Sequence, residues 1–260
     1  DRYTEKYASF SGYQYALNNP VINIDINGDS TWTTTRTIKT KDGNTITTNT
    51  LHIRGKVLDL AGVKTGGGCN CRNAAGDLVE GINDDLNKNK STNVKNGNTE
   101  TWNVDAQFTL AKSMDEVSSS DHLVVVVDDV TGQADPALGG GEAGGVAEQK
   151  GKIAYVENTT NIAFLIQNSV HEIGHTMGLI HTENGTGNYM NYDQVRWKFS
   201  PLQLLTMYNM SKNGALNKGS NSQRSVQRSN NWFFHTSTND EPYRKNTKVG
   251  ERIPFMLKND

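Results

Sequence analysis

Long apolar runs are missing from this 260-residue sequence, and so is an excess of charge of one sign. No segment approaches the roughly 20 consecutive apolar residues that a membrane-spanning helix needs. Lys and Arg together number 26, Asp and Glu together 28, and the formal net charge is -2. A chain with this balance lacks the basic surface by which proteins bind nucleic acid. The sequence therefore predicts neither a membrane span nor a nucleic-acid partner, and its length suffices to bury a sizeable core.

Cysteine is scarce as well: Cys69 and Cys71 are the only two in the sequence, one residue apart. Such a pair can close only a small strained ring, which excludes a disulfide framework. A small disulfide, two idle thiols, or a thiolate that blocks a metal site are the alternatives left open. Asn and Thr are abundant, a composition typical of secreted or cell-surface bacterial proteins. We therefore expect a secreted or cell-surface location in bacteria.

Hydrophobic periodicity divides the chain into short strands and a few helices. The stretch 88–100 is polar and is predicted to be a linker, and 129–143 and 211–231 are predicted loops. Ser200 followed by Pro201 is typical of a helix start. The order of elements predicts a layered α+β or α/β domain. The predicted strands are 30–40, 45–60, 102–110, 123–127, 144–148 and 152–156, and the predicted helices are 73–88, 161–177 and 201–210.

The residues with the clearest chemical meaning lie at the end of the second predicted helix. His171 and His175 are four residues apart, about one helical turn, so their side chains project from the same face. Gly178 lets the chain leave the helix sharply, so that His181 can return as a third ligand. Three imidazoles suit Zn²⁺ and leave a fourth coordination position open, as in catalytic sites. Glu172, beside the first ligand, is the natural general base for a water molecule at the metal.

Other interpretations of the sequence remain open. Two histidines at this spacing occur by chance on helix surfaces, although the correct placement of Gly178 and His181 makes an accident improbable. A non-catalytic binding module could keep the metal only to stabilise its fold, and a toxin could act through the unassigned tail 211–260. The remaining histidines, His52, His122 and His235, have no motif partners, and we expect them to be structural or solvent-exposed.

Residues 171–181 read His-Glu-Ile-Gly-His-Thr-Met-Gly-Leu-Ile-His and resemble the extended motif of metzincin metallopeptidases, His-Glu-x-x-His-x-x-Gly-x-x-His. In that family a Met-containing turn follows, and Asn-Tyr-Met-Asn-Tyr at 188–192 is the candidate here. The resemblance implies that Met190 lies beneath the metal as an apolar floor. It also implies that Tyr192 can stabilise the oxyanion of the reaction. Asn188 stands where a serine is usual in the serralysin branch.

The resemblance also implies a fold and a substrate. The expected fold is α+β, with a twisted, mostly parallel sheet, a backing helix and an active-site helix, followed by a smaller C-terminal subdomain that carries the turn. Residues 144–148 would form the edge strand beside which a protein or peptide substrate binds. The implied cofactor is Zn²⁺ and the implied activity is that of an endopeptidase.

The N-terminal residues resemble a different family. Tyr-Gln-Tyr-Ala-Leu-Asn-Asn-Pro at 13–20 and Asp-Ile-Asn-Gly at 25–28 resemble the end of an RHS-repeat-associated core, with Ile26 in place of the usual proline. In that family a variable effector follows this segment. We therefore predict three parts: an RHS-like segment 1–30, a catalytic subdomain 31–182, and a C-terminal subdomain 183–260. The alternative is an ordinary Tyr- and Asn-rich extension.

Overall fold

The computed structural model describes residues 30–61, 63, 74–112, 116–117, 121–127, 144–147, 149–183, 186–192 and 195–216. Several predictions fall outside these residues. They concern the RHS-like segment before residue 30, the cysteines Cys69 and Cys71, the predicted loop 129–143, His235, and the tail beyond residue 216.

The described residues form seven strands and three helices, so the predicted α+β class is confirmed. The strands are β1 (Thr31–Lys39), β2 (Thr45–Asp59), β3 (Lys90–Lys95), β4 (Asn98–Ala111), β5 (His122–Val127), β6 (Gly145–Ala147) and β7 (Ile153–Glu157). The helices are α1 (Ala74–Asn87), α2 (Ile162–Thr176) and α3 (Pro201–Lys212). None of these helices is both long enough and apolar enough to cross a membrane.

All seven strands join one mixed sheet with the order β3-β4-β2-β5-β7-β6, and β1 pairs with β2. The four central strands β4, β2, β5 and β7 run parallel, whereas β1, β3 and β6 each pair antiparallel with a neighbour. The long strand β2 changes partner along one edge, from β1 at its beginning to β5 at its end. The mostly parallel centre agrees with the prediction. The finer resemblance to a metzincin and the division between residues 182 and 183 stay predictions.

One sequence prediction is wrong. Residues 88–100 are not a linker, because β3 forms a hairpin with the first half of β4. Asn96 and Gly97 connect the two strands with φ angles of 52° and 77°. Two central residues with positive φ are typical of the tight turns that suit the twist of a hairpin, and Asn-Gly is the preferred pair. This dipeptide was the signal for the hairpin, although the strand itself is too polar to show a hydrophobic alternation.

The core lies between the sheet and the helices, and α1 is joined to the sheet by polar side chains as well. Asn83 and Asn87, one helical turn apart, pair through their amides with the backbone of Phe108 and Ala106 on β4. These bonds satisfy a stretch of β4 that β3 does not reach. The core cluster contains, among others, Leu51, Ile53, Val104, Phe108, Leu78, Ile82, Leu165, Ile173, Leu204 and Met207.

Two histidines outside the motif have structural partners. His52 contacts Asp105 through Nδ1 at 2.7 Å and Thr34 through Nε2 at 2.9 Å, and its ring stacks on Trp32. His122 is buried at the point where β2 changes partner, with Nδ1 2.5 Å from the hydroxyl of Ser30. Burial, and to a smaller extent the charge of Lys152, lowers the pKa of His122 to about 3.

The pKa of His122 predicts a pH-dependent free energy of unfolding. The unfolded chain takes up a proton at His122 near pH 6.5, whereas the folded chain does so only near pH 3, so stability falls as the pH drops between these values. The loss reaches at most about 1.4 kcal/mol per pH unit for this one group. Urea unfolding from pH 7.5 to 4.5 in the presence of a chelator should therefore give a shallower pH dependence for His122→Asn than for the unchanged chain. Parallel pH profiles for the two proteins would contradict this prediction.

Candidate metal centre

Three histidine side chains converge at the end of α2. The helix carries His171 and His175 one turn apart, and it ends at Met177 as its C-cap. Gly178 follows with a φ of +87°, a conformation that reverses the chain and brings His181 back over the helix end. The Nε2 atoms of His171 and His175 are 3.2 Å apart, those of His171 and His181 3.1 Å, and those of His175 and His181 2.9 Å.

The other ring nitrogen of each histidine has its own partner. Nδ1 of His171 lies 2.5 Å from the carbonyl oxygen of Tyr189, and Nδ1 of His175 lies 2.9 Å from that of Leu179. A carbonyl can only accept a hydrogen bond, so these two Nδ1 atoms must carry the proton. The third Nδ1, on His181, lies 2.8 Å from the hydroxyl of Tyr192, which can accept in the same way. The arrangement therefore leaves Nε2 of His171 and His175 as bare acceptors, and Nε2 of His181 as well when its Nδ1 donates to Tyr192.

This donor set fits a metal ion. Burial is the main factor that lowers the pKa of His171 to about 3 and of His175 to about 4, and it lowers the pKa of His181 as well. Three neutral imidazoles that point their lone pairs at one another repel unless a cation lies between them. Tetrahedral coordination at the usual zinc–nitrogen distance would hold the nitrogens about 3.3 Å apart, close to the spacing seen. The three histidines could therefore hold a metal ion.

Glu172 lies beside this cluster, buried between α2 and β6. Its Oε1 is 4.0 Å from Nε2 of His171, and its side chain packs so closely on Gly145 that a Cβ there would lie 2.7 Å from Glu172 Cγ. Burial raises the pKa of Glu172 to about 8, against the opposing effect of the Arg196 charge. The arrangement places a carboxyl group of raised proton affinity next to the candidate metal ligands.

The 188–192 turn packs against α2 beside the histidines. Met190 is fully buried, and a Cβ on Gly174 would lie 2.4 Å from its sulfur, so the helix needs glycine between the two histidine ligands. The side chain of Asn188 accepts a hydrogen bond from the backbone N–H of Met190 and pairs with the amide of Gln203 on α3. These contacts of Asn188 join the turn to α3. The placement of Met190 beneath a metal ion stays a prediction.

Tyr192 contacts the candidate metal site through the side chain of His181. Its ring centroid is 4.5 Å from that of His181, and 61% of the residue is exposed. In the described conformation its hydroxyl contacts His181 Nδ1 rather than the point on which the three Nε2 atoms converge. The structure thus brings all five predicted site residues together and gives Tyr192 a contact that the sequence did not indicate.

Sequence reasoning missed the groups that orient the ligands. The carbonyl groups of Tyr189 and Leu179 accept hydrogen bonds from His171 and His175. A backbone acceptor cannot be recognised in a sequence motif, because every residue carries one. The phenol of Tyr189 donates to Asp85 on α1, and burial together with this carboxylate raises its pKa, so it remains a donor. Arg196 is buried, with its guanidinium bonded to Asn168 one turn before Glu172.

A comparison with models of known protein families found no match, and a comparison with curated proteins found no similar sequence. The site therefore has to be judged on its geometry and chemistry.

If the three histidines bind a metal ion, that ion should stabilise the folded chain. Zinc at about 100 times its dissociation constant would add about 2.7 kcal/mol, which corresponds to a rise in Tm of roughly 5–10 °C for a domain of this size. Differential scanning fluorimetry with and without Zn²⁺ measures this shift. His175→Ala should abolish it, whereas His52→Ala, on the sheet, should retain it. An equal shift in the two variants would contradict the assignment of the ligands.

Proposed function

We propose that this chain is a zinc-dependent endopeptidase of the metzincin type. The observation that carries the proposal is the convergence of three Nε2 atoms beside a buried glutamate, at a site that opens to solvent on one side. His171 and Glu172 are buried, whereas His181 and Tyr192 are exposed. A purely structural metal site would be closed by four protein ligands and would have no use for an adjacent base. Zinc fits three neutral imidazoles that leave room for water and substrate.

The chemistry divides between the metal and the chain. Zinc, when bound, lowers the pKa of a water molecule towards neutrality and polarises the scissile carbonyl. His171, His175 and His181 would hold the ion. Glu172 accepts the proton of the attacking water and passes it to the leaving amine. Tyr192 would turn its hydroxyl from His181 to the oxyanion of the substrate, where one such donor contributes about 10²–10³ in rate.

The proposal extends to the biological context of the chain. The RHS-like residues 13–28 favour an effector carried at the C-terminal end of a larger, secreted or cell-surface bacterial protein. A protein or peptide substrate would lie in the cleft beside β6, which packs against α2 next to Glu172.

Replacement of the proposed base should separate catalysis from metal binding. Glu172→Gln keeps the size of the side chain but cannot accept the proton, so we expect cleavage to fall by about 10²–10⁴ while Zn²⁺ binding persists. The zinc-loaded protein is incubated with an unbiased peptide mixture, and the new termini are counted by mass spectrometry. The matched control is Glu183→Gln, an exposed carboxylate two residues past the third histidine, which should cleave like the unchanged chain.

Equal turnover by Glu172→Gln and Glu183→Gln would rule out Glu172 as the base. Bound zinc without cleavage by any of the three proteins would favour the alternative of a non-catalytic, metal-stabilised module.

A further inference from the structure

Tyr189 is held at two ends that point to different parts of the molecule. Its carbonyl accepts a hydrogen bond from His171 Nδ1 at 2.5 Å. Its phenol, fully buried, donates to Asp85 Oδ2 at 2.5 Å. One residue therefore touches a candidate metal ligand with its backbone and helix α1 with its side chain.

The α1 end of this connection is attached to the sheet by hydrogen bonds. Asp85 lies between Asn83 and Asn87, whose amides attach the helix to the backbone of β4. The second oxygen of Asp85 pairs with Lys88, so the carboxylate is itself held in place. Hydrogen bonds and the covalent chain of α1 and Tyr189 together thus connect the sheet to the backbone carbonyl that faces His171.

Other backbone contacts of the 188–192 turn act together with this connection. Tyr189 N–H donates to the carbonyl of Lys198, and Met190 N–H donates to the side chain of Asn188. Met190 N–H belongs to the same planar peptide group as the Tyr189 carbonyl, so its bond to Asn188 helps to hold that plane. The Tyr189 side chain, through Asp85, anchors the α-carbon on the other side of the same plane. Loss of either anchor allows the plane to tilt. A tilt would redirect the His171 ring, because a histidine ligand is oriented by the partner of its second nitrogen.

We propose that Tyr189 is a positioning residue for the metal, and that its hydrogen bond to Asp85 fixes the backbone carbonyl which aims His171 Nε2 at the ion. The assignment rests on the metal site of the proposed function. It goes beyond that function because it makes metal affinity depend on α1, which contributes no ligand.

The test measures affinity for Zn²⁺ and Co²⁺ alone, by competition with a chromophoric chelator, on the full chain. Tyr189→Phe should raise the dissociation constant about 10-fold or more, within the range known for groups that orient metal ligands. It should also shift the visible spectrum of the bound Co²⁺. The matched control is Tyr208→Phe, which removes an equally buried phenol bonded to Thr35 on β1, away from the histidines. Tyr208→Phe should leave the dissociation constant within about twofold, although it too removes a hydrogen bond of a buried phenol, here to a neutral hydroxyl.

Variants of Asp85 keep the test valid if Tyr189→Phe folds poorly. Asp85→Ala should weaken binding as Tyr189→Phe does, and the double variant should be no weaker than either, because both remove the same bond. Asp85→Asn retains an acceptor oxygen and should restore most of the affinity.

Each outcome decides between the claims. Unaltered affinity in Tyr189→Phe, with tight binding by the unchanged chain, would overturn the positioning role and leave the peptidase standing. Weakened affinity in Tyr189→Phe and Asp85→Ala, with no cleavage by the unchanged chain, would support the positioning role and contradict the peptidase. Absence of metal binding by the unchanged chain would overturn both.

Discussion

The mutual approach of three uncharged imidazoles is the constraint on which the rest of the site depends. Their Nε2 atoms lie within 3.2 Å of one another, and burial keeps the rings neutral. Such a contact is unfavourable until a cation occupies it, so the fold must hold the rings together by other means. It does so through acceptors for each Nδ1, two of them backbone carbonyls, and through the reversal at Gly178 that returns His181 to the helix end.

The parts of the fold that meet at this site come from distant regions of the chain. α2 supplies His171, His175 and Glu172, the 188–192 turn packs against α2, and β6 packs on Glu172. α1 enters through Asp85, and α3 enters through Gln203, which pairs with Asn188. The site is buried on one side and open on the other, because His171 and Glu172 are buried whereas Tyr192 is largely exposed. This asymmetry supports the proposed catalytic role over that of a metal that only stabilises the fold.

The sequence predicted best what is local. The spacing of His171 and His175, the cap at Ser200, and the alternation in β4 each depend on residues a few positions apart, and all agree with the structure. The strand β3 was missed because its side chains are polar and lie at an edge, so no hydrophobic pattern marks them. The Tyr189–Asp85 bond joins residues 104 positions apart, and neither residue lies in a pattern that points to the other. Its geometry exists only once α1 and the turn have packed.

The most direct test of the central claim is X-ray absorption spectroscopy at the zinc K-edge on the zinc-loaded full chain. The account predicts one zinc ion with three imidazole nitrogens at about 2.0–2.1 Å and one further light atom from solvent, which is the open coordination of a catalytic site. His181→Ala should reduce the imidazole count to two. A sulfur neighbour at about 2.3 Å would instead mean that Cys69 or Cys71 fills the fourth position. That result, or four protein ligands of any kind, would contradict an open catalytic centre.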